Sequence, residues 1–198
     1  TRRSSDLLGG AQALRGGVAG WARLARPARV VLGALALALA WLALSHARHE
    51  GINFLLSVLC LVWAADIAAY FGGRALGRRK LAPTISPGKS WEGVWSGMVG
   101  VLLLALAWAT LIDGRAWTDS SSLYGLLWQR LGWALGALVL VFLAAMSVVG
   151  DLVESLVKRA AGAKDSSALL PGHGGVLDRI DALLPVVPIA LALAGLAS

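Results

Sequence analysis

Five apolar stretches of this chain approach the length needed to cross a membrane. They lie at about 30–45, 52–73, 94–112, 131–149 and 183–197. A membrane-spanning helix needs about 20 mainly apolar residues, within a range of about 17–25. The composition agrees, because 58% of the 198 residues are hydrophobic and only 15% are charged. We therefore expect an all-α, polytopic membrane protein with about five transmembrane helices.

The distribution of basic residues predicts the orientation of these helices. Of the 18 Lys and Arg residues, six lie in residues 1–29, five in 74–93 and four in 150–182, and only three lie in or beside the alternate loops. The positive-inside rule places the three basic segments on the cytoplasmic side of a cell inner membrane. The net charge of +7 then follows from topology, so we do not expect nucleic acid as a partner.

Two regions follow from this reading. Residues 1–29 are basic and rich in Gly and Ala, which indicates an interfacial or cytoplasmic lead-in. Residues 30–198 form the predicted transmembrane catalytic domain, and they contain one polar island at 155–181. The charged residues of that island are Lys158, Arg159, Lys164, Asp165, Asp178, Arg179 and Asp181. Clustered cations and carboxylates suit a polyphosphate bound together with a divalent metal ion.

Four polar residues precede or open this island at helical spacing. Asp151, Glu154, Ser155 and Lys158 fall at i, i+3, i+4 and i+7, so they share one face if the helix continues past the apolar run. The alternative is a helix that leaves the bilayer with solvated charges. Asp151 argues against that alternative, because it directly follows an apolar run, where an ionised group is costly without a partner.

A glycine-rich turn and a pair of aspartates complete the island. Gly172, His173, Gly174 and Gly175 could form an anion-binding concavity, although the motif by itself equally fits a simple tight turn. Asp178 and Asp181 are three residues apart, so a helical turn would aim both carboxylates the same way, as a site for Mg²⁺ requires. A charged helix N-terminus is the alternative for this pair.

Upstream residues offer a second part of the site. Asp66 lies deep in an apolar span, where an ionisable residue indicates a functional site, although an ion pair with Arg74 would also explain it. Ser86 and Lys89 lie in the segment Ser-Pro-Gly-Lys-Ser. Its Pro-Gly pair predicts a turn, and its lysine suits a phosphate.

These motifs resemble the phosphatidate cytidylyltransferase family. The family signature has Ser-x-apolar-Lys-Arg, then Lys-Asp, then Pro-Gly-His-Gly-Gly-apolar-x-Asp-Arg-apolar-Asp, and residues 155–181 fit it at every defined position. Upstream, Asp66-x-x-Ala-Tyr70, residues 80–83, residues 86–93 and residues 150–155 also resemble the family. The chain departs from it in two respects. Members of the family usually carry additional N-terminal spans, some of which we expect this chain to lack, and Ile67 stands where the family commonly has a small hydroxyl residue.

The resemblance implies an enzyme that converts CTP and phosphatidic acid into CDP-diacylglycerol and pyrophosphate in the lipid bilayer. It implies Mg²⁺, with a second cation such as K⁺, held by Asp151, Asp178 and Asp181, and Asp66 near the site. The phosphates would be neutralised by Lys89, Lys158, Arg159, Lys164 and Arg179. The remaining residues expected in the site are Ser86, Glu154, Ser155, Asp165, Gly172, His173, Gly174 and Gly175.

Other functions are compatible with parts of the pattern. A CTP-dependent polyisoprenol kinase would share the use of metal and CTP. An ion-coupled transporter would explain Asp66 and Asp151, but transporters tend to carry polar groups at the bilayer midplane and internal repeats. Here the polar groups cluster at helix ends. A homodimer is left open.

Overall fold

The fold is a bundle of membrane-spanning helices with one small β-hairpin. The computed structural model describes residues 20–21, 25–163, 166–167, 175 and 177–197, without the side chains of residues 179 and 197. The elements are α1 (Arg26–Glu50), α2 (Ile52–Leu76), β1 (Lys80–Ala82), β2 (Ser86–Ser90), α3 (Trp91–Leu111), α4 (Leu123–Ala160), α5 (Leu177–Ile180) and α6 (Leu183–Ala197). In this part of the chain, α1 to α4 are long and apolar enough to cross a membrane, and α6 is a shorter apolar helix. The predicted class, an all-α polytopic membrane protein, is confirmed.

Two helices extend beyond the apolar stretches from which they were predicted. Helix α1 begins at Arg26, inside the segment assigned to the lead-in, and α4 covers 38 residues. Helix α4 is interrupted at Gly132, where φ is 76° and ψ is 169°, a conformation that favours glycine. Hydropathy marks the part of a helix that lies in hydrocarbon, whereas the backbone hydrogen bonds continue into the polar ends.

Helices α2 and α3 pack closely because small residues line their contact. A Cβ added at Gly93 would lie 2.8 Å from the carbonyl oxygen of Ala69, and one added at Gly97 would lie 2.9 Å from that of Ala65. Glycines four residues apart let two membrane helices approach each other at backbone distance. This contact holds the C-terminal half of α2, which carries Asp66, directly against the start of α3. That end of α2 is the one predicted to face the cytoplasm.

Helix α6 completes the core. Its residues Val186 and Val187 are buried, and they belong to one apolar cluster with Leu140 and Leu143 of α4. Helix α6 also packs against α1. The residue preceding α6 by two positions, Asp181, is thereby held beside the polar end of α4.

One end of the bundle is joined by a polar network. The side-chain amide of Asn53 donates to Asp113 Oδ1 (2.8 Å), Trp108 Nε1 donates to Asn53 Oδ1 (2.9 Å), and Ser122 Oγ donates to Asp113 Oδ2 (2.5 Å). These residues connect α2, α3 and the loop before α4. The two alternate loops therefore lie together, and the basic segments that hold the signature residues lie at the opposite end, as the alternation of charge predicted.

Asp119 stabilises the first turn of α2 from this loop. Its carboxylate accepts hydrogen bonds from the backbone N–H of Ile52 (2.6 Å) and of Asn53 (3.0 Å). These N–H groups have no partner within the helix, so the carboxylate acts as a cap supplied by a distant residue. The N–H groups of Asn53 and Ile52 hold the pKa of the Asp119 carboxyl below its ordinary value of 3.8.

Asp119→Ala is expected to lower the thermal stability of the bundle. Loss of a capping side chain destabilises the helix that it caps, and we expect a fall in Tm of about 1–8 °C for a chain of this size. Thermal unfolding in detergent measures the change, and Asp119→Asn, which keeps one acceptor oxygen, is the matched control. Because folding lowers the pKa, the contribution is present at neutral pH and is lost as the pH falls through 3.8 and below. Equal Tm values for Asp119→Ala and wild type would contradict the capping role.

The opposite end carries the hairpin of β1 and β2, which the sequence did not predict. Lys80 pairs with Ser90 and Ala82 with Ser86, so one residue of β1 faces three of β2. The chain reverses at residues 83–85. The prediction of a turn at Pro87-Gly88 was therefore wrong. Proline lacks the N–H that a regular ladder needs, and a bulged strand accommodates it.

Candidate active site at the hairpin end of the bundle

A cavity of about 680 Å³ opens where α2, α3, α4 and β2 meet. Its polar lining residues are Asp66, Tyr70, Arg74, Ser86, Lys89, Ser90 and Asp151. The structure thus brings the upstream motif and the start of the signature region, which are more than 60 residues apart in sequence, to one site. Long-range packing of α2 against α3 and α4 produces this meeting.

The hairpin is held over the cavity by the start of α3. Ser90 caps the helix, because its Oγ accepts from the N–H of Gly93 (3.2 Å). The Glu92 carboxylate accepts from the backbone N–H groups of Arg78 and Arg79 (3.1 Å each). Both ends of the hairpin are therefore tied to one helix turn, and the bulged strand carries Lys89 into the cavity.

Lys89 forms an ion pair with Asp151 of α4. Both side chains are partly buried, and Ser155, one turn further along α4, donates to Asp151 Oδ1 at 3.5 Å. Asp151 thus has the charged partner that its position at the end of an apolar run requires. The ion pair also shows that a cation from the hairpin and a carboxylate from α4 lie next to each other in the wall of the cavity.

Asp181 lies beside Asp151 because Gly150 lets the chain segments touch. A Cβ at Gly150 would lie 2.7 Å from the carbonyl oxygen of Asp181 and 2.9 Å from Cγ of Pro185. Burial, followed by the nearby Asp151 and Asp66 carboxylates, raises the pKa of Asp181 to about 6. The carboxylates of Asp151 and Asp66, which belong to two other chain segments, therefore lie close enough to Asp181 to disfavour the ionised form of its carboxyl.

A second group of charges lies further along α4, toward its C-terminal end. The Lys158 ammonium contacts Glu154 Oε2 (2.5 Å) and Asp178 Oδ1 (2.7 Å). Asp178 Oδ2 accepts from Ser166 N (3.0 Å), Ser166 Oγ (2.9 Å) and Gly175 N (2.7 Å). Glu154 is buried, so the alternative of a solvated charged face does not apply to it.

Asp178 and Asp181 consequently have different partners, although they are three residues apart. The Glu154 carboxyl, the Lys158 ammonium and the Gly175 and Ser166 N–H groups hold the pKa of the Asp178 carboxyl well below its usual range. Asp178 joins Ser166 and Gly175 to Lys158 of α4, whereas Asp181 lies toward Asp151 and Asp66. The sequence spacing alone predicted one common direction for both carboxylates.

The donor set is compatible with Mg²⁺, although it is not a complete cage. Among the described residues, no three His, Cys, Asp or Glu side chains converge as metal ligands. Mg²⁺ is usually bound through one or two carboxylates together with water and substrate phosphates. Asp151 and Asp181 supply two such carboxylates, and their mutual repulsion is the kind that a cation relieves.

Several predicted site residues lie outside the described part of the chain. These are Lys164, Asp165, Gly172, His173 and Gly174, together with the side chain of Arg179. Residues 1–19 and 22–24 of the lead-in also lie outside it. Arg159 is exposed. Arg74 does not pair with Asp66, and its guanidinium donates to the Tyr70 hydroxyl instead (3.2 Å).

The structure adds residues that sequence reasoning missed. Gly150 was recognised only as part of a motif, and Ser166 was not considered as a partner of Asp178. Tyr70 and Arg74 line the cavity, and a signal for them existed, because they follow Asp66 by four and eight residues on one helix face. They line a cavity only because the hairpin forms its other wall, and the position of the hairpin could not be predicted from hydropathy.

The fold and site together define an integral membrane protein with a charged, phosphate-compatible cavity at one end of an all-α bundle. Residues 13–197 match the model of the Cytidylyltransferase family, and the chain belongs to that family.

The chain is also similar to curated bacterial proteins named phosphatidate cytidylyltransferase. It is 49% identical to the Haemophilus influenzae protein over 150 residues, which are 73% of this chain and 46% of that protein. It is 46% identical to the Pseudomonas aeruginosa protein over 167 residues, 83% of this chain and 56% of that protein. For the Staphylococcus epidermidis protein the identity is 39%, with 72% and 49% covered. The chain thus spans about half the length of these relatives.

Proposed function

We propose that the chain carries the site of a phosphatidate cytidylyltransferase, which converts CTP and phosphatidic acid into CDP-diacylglycerol and pyrophosphate. The observation that carries the proposal is the cavity in which Lys89 of the hairpin meets Asp151 of α4, with Asp181 beside it. The names of the relatives support the same reaction. The cavity lies at a helix end, where a water-soluble nucleotide and a membrane lipid can meet.

The reaction needs charge neutralisation more than proton transfer. The phosphate of phosphatidic acid is already an anion at neutral pH, and one of its oxygens attacks the α-phosphorus of CTP. The bond between the α-phosphorus and its bridging oxygen breaks, and pyrophosphate leaves. Two polyanions must therefore approach each other, so positioned cations and metal supply most of the catalysis.

Mg²⁺ is the proposed cofactor, and Asp151 and Asp181 are the residues best placed to hold it, with Asp66 close by. When bound, the metal neutralises charge on the reacting phosphates. Asp178 also belongs to the proposed set, but it would have to exchange a hydrogen bond to Lys158, Ser166 or Gly175 for the metal. A second cation such as K⁺ is proposed from the family resemblance alone.

The cations are proposed to hold the substrates' phosphates. Lys89 enters the cavity beside Asp151. Lys158 lies two turns beyond Asp151 along α4, and Ser155 lies between Asp151 and Lys158. Lys164, Arg159, Arg179 and the glycine-rich segment 172–175 are proposed to complete the nucleotide site. We further propose that this end of the bundle faces the cytoplasm, in the inner membrane.

The test uses the chain purified in mild detergent, with CTP labelled in the α-phosphate, phosphatidic acid and Mg²⁺. Label is expected in the lipid phase, and EDTA is expected to abolish it. Asp151→Asn serves as the site-directed control. Transfer of label from γ-labelled CTP to a polyisoprenol, with none from α-labelled CTP to phosphatidic acid, would contradict the proposal, as would the absence of CTP binding in the wild type.

A further inference from the structure

Arg74 and Tyr70 lie at the edge of the cavity, where it meets the outer surface of the bundle. Both line the cavity together with Asp66. Tyr70 also exposes 59% of its surface, beside Phe71 and Ile67, which are similarly exposed. In a membrane helix, large apolar side chains that point away from the bundle face hydrocarbon. The Tyr70 side of the cavity is therefore continuous with the lipid-facing surface of α2.

Two described cations line this cavity, and they differ in their partners. Lys89 is paired with the Asp151 carboxylate, so its charge is compensated within the protein. Arg74 donates through Nη1 to the neutral hydroxyl of Tyr70 (3.2 Å), and among the described residues it forms no ion pair within 4 Å. Arg74 thus brings an uncompensated positive charge to the lipid side of the cavity.

The chemistry of these two side chains suits a phosphate carried by a lipid. A guanidinium is planar, always charged, and binds phosphate through two parallel hydrogen bonds. The phenol occupies one of its donors and limits its rotation at the end of α2. An anion delivered from water would have no need of the exposed apolar wall formed by Ile67 and Phe71, whereas acyl chains can lie along it.

We propose that Arg74, positioned by Tyr70, binds the phosphate of phosphatidic acid as the lipid enters the cavity from the membrane face of α2. This inference rests on the proposed function and assigns one of its two substrates to a subsite. Lys89 and Lys158 are then left to the phosphates of CTP. The lipid phosphate would approach from the α2 side of Asp151 and the nucleotide from the hairpin side.

The experiment compares Arg74→Gln with Arg78→Gln, which removes the same charge from an exposed residue that does not line the cavity. Initial rates are measured in mixed micelles, with each substrate varied in turn. Arg74→Gln is expected to raise the KM for phosphatidic acid about tenfold or more, because a charge-assisted contact is lost, and to leave the KM for CTP within about twofold. Tyr70→Phe is expected to raise only the lipid KM, by a smaller factor. Arg78→Gln should match the wild type.

A change in the KM for CTP as large as that for the lipid, or identical behaviour of Arg74→Gln and Arg78→Gln, would overturn the inference. A second measurement separates this failure from failure of the proposed reaction. Binding of dioctanoyl phosphatidic acid, with dioctanoyl phosphatidylcholine as the reference lipid, is measured by calorimetry and needs no turnover. If the wild type makes no CDP-lipid, tighter binding of phosphatidic acid that is lost in Arg74→Gln still supports the subsite. Equal binding of both lipids by the wild type would refute it.

Discussion

Asp151→Asn and Asp181→Asn are each expected to lower kcat by about a thousandfold while the protein stays folded and inserted. Metal coordination contributes several kcal/mol to the stabilisation of phosphate charge, and each 1.36 kcal/mol is about tenfold in rate. The amide is nearly isosteric with the carboxylate but carries no charge. Radiolabel transfer from CTP measures kcat, and binding of Mn²⁺, followed by electron paramagnetic resonance, is expected to weaken in both variants.

Glu50→Gln is the matched control for this pair. It removes a carboxylate at the opposite end of the bundle, where Glu50 lies 3.8 Å from His46 and is exposed. Activity and Mn²⁺ affinity should equal those of the wild type. Near-normal kcat in Asp151→Asn or in Asp181→Asn would remove that residue from the proposed metal site.

Asp178 requires a different readout, because its oxygens already accept hydrogen bonds from Ser166 and Gly175. If Asp178 binds the metal, Asp178→Asn will weaken Mn²⁺ binding as Asp151→Asn does. If it only positions the signature segment, Mn²⁺ affinity will be unchanged and the Ser166 and Gly175 amides will exchange hydrogen faster. The two outcomes distinguish a ligand from a positioning residue.

Gly150→Val is expected to reduce activity about a hundredfold through displacement of Asp181. The added side chain has no room, because a Cβ alone would approach the Asp181 carbonyl oxygen at 2.7 Å. Relief of such overpacking shifts the backbone and costs about 1–3 kcal/mol, and a displacement of about 1 Å can cost a hundredfold in rate. We expect lower kcat, weaker Mn²⁺ binding and a lower Tm.

The control for this substitution is Gly33→Val in α1, since no atom lies within 4 Å of an added Cβ there. The two variants carry the same chemical change in a helical glycine, so the difference between them isolates the contact with Asp181. If Gly150→Val retained the activity of Gly33→Val, the close approach of α4 to the segment before α6 would not be required for the site.

Much of the fold was predictable because the bilayer imposes a simple rule. Backbone polar groups must be satisfied within each spanning segment, so long apolar stretches become helices, as α1 to α4 show. The shared face of Asp151, Glu154, Ser155 and Lys158 was also predictable from helical periodicity. The structure confirms the Glu154–Lys158 contact on that face.

The hairpin and its lysine could not be predicted in the same way. Residues 80–90 contain two prolines and alternate weakly, and their strand pairing depends on hydrogen bonds from Arg78 and Arg79 to Glu92. The different partners of Asp178 and Asp181 could not be predicted either. A spacing of three residues places two side chains on the same face only where the helix is regular. Helix α5 covers only four residues before the chain turns.

The amino-acid sequence was sufficient to predict the membrane class, the succession of apolar helices, and the residue types available for phosphate and metal. These properties depend on local composition and periodicity, which each segment carries regardless of its neighbours. Three relations required the packed fold: Lys89 meets Asp151, Asp181 lies beside them because of Gly150, and Arg74 has no carboxylate partner among the described residues. Those relations depend on glycines that let α2, α3, α4 and the segment before α6 approach one another closely. Such close approach arises between surfaces from distant parts of the chain, so no single segment encodes it.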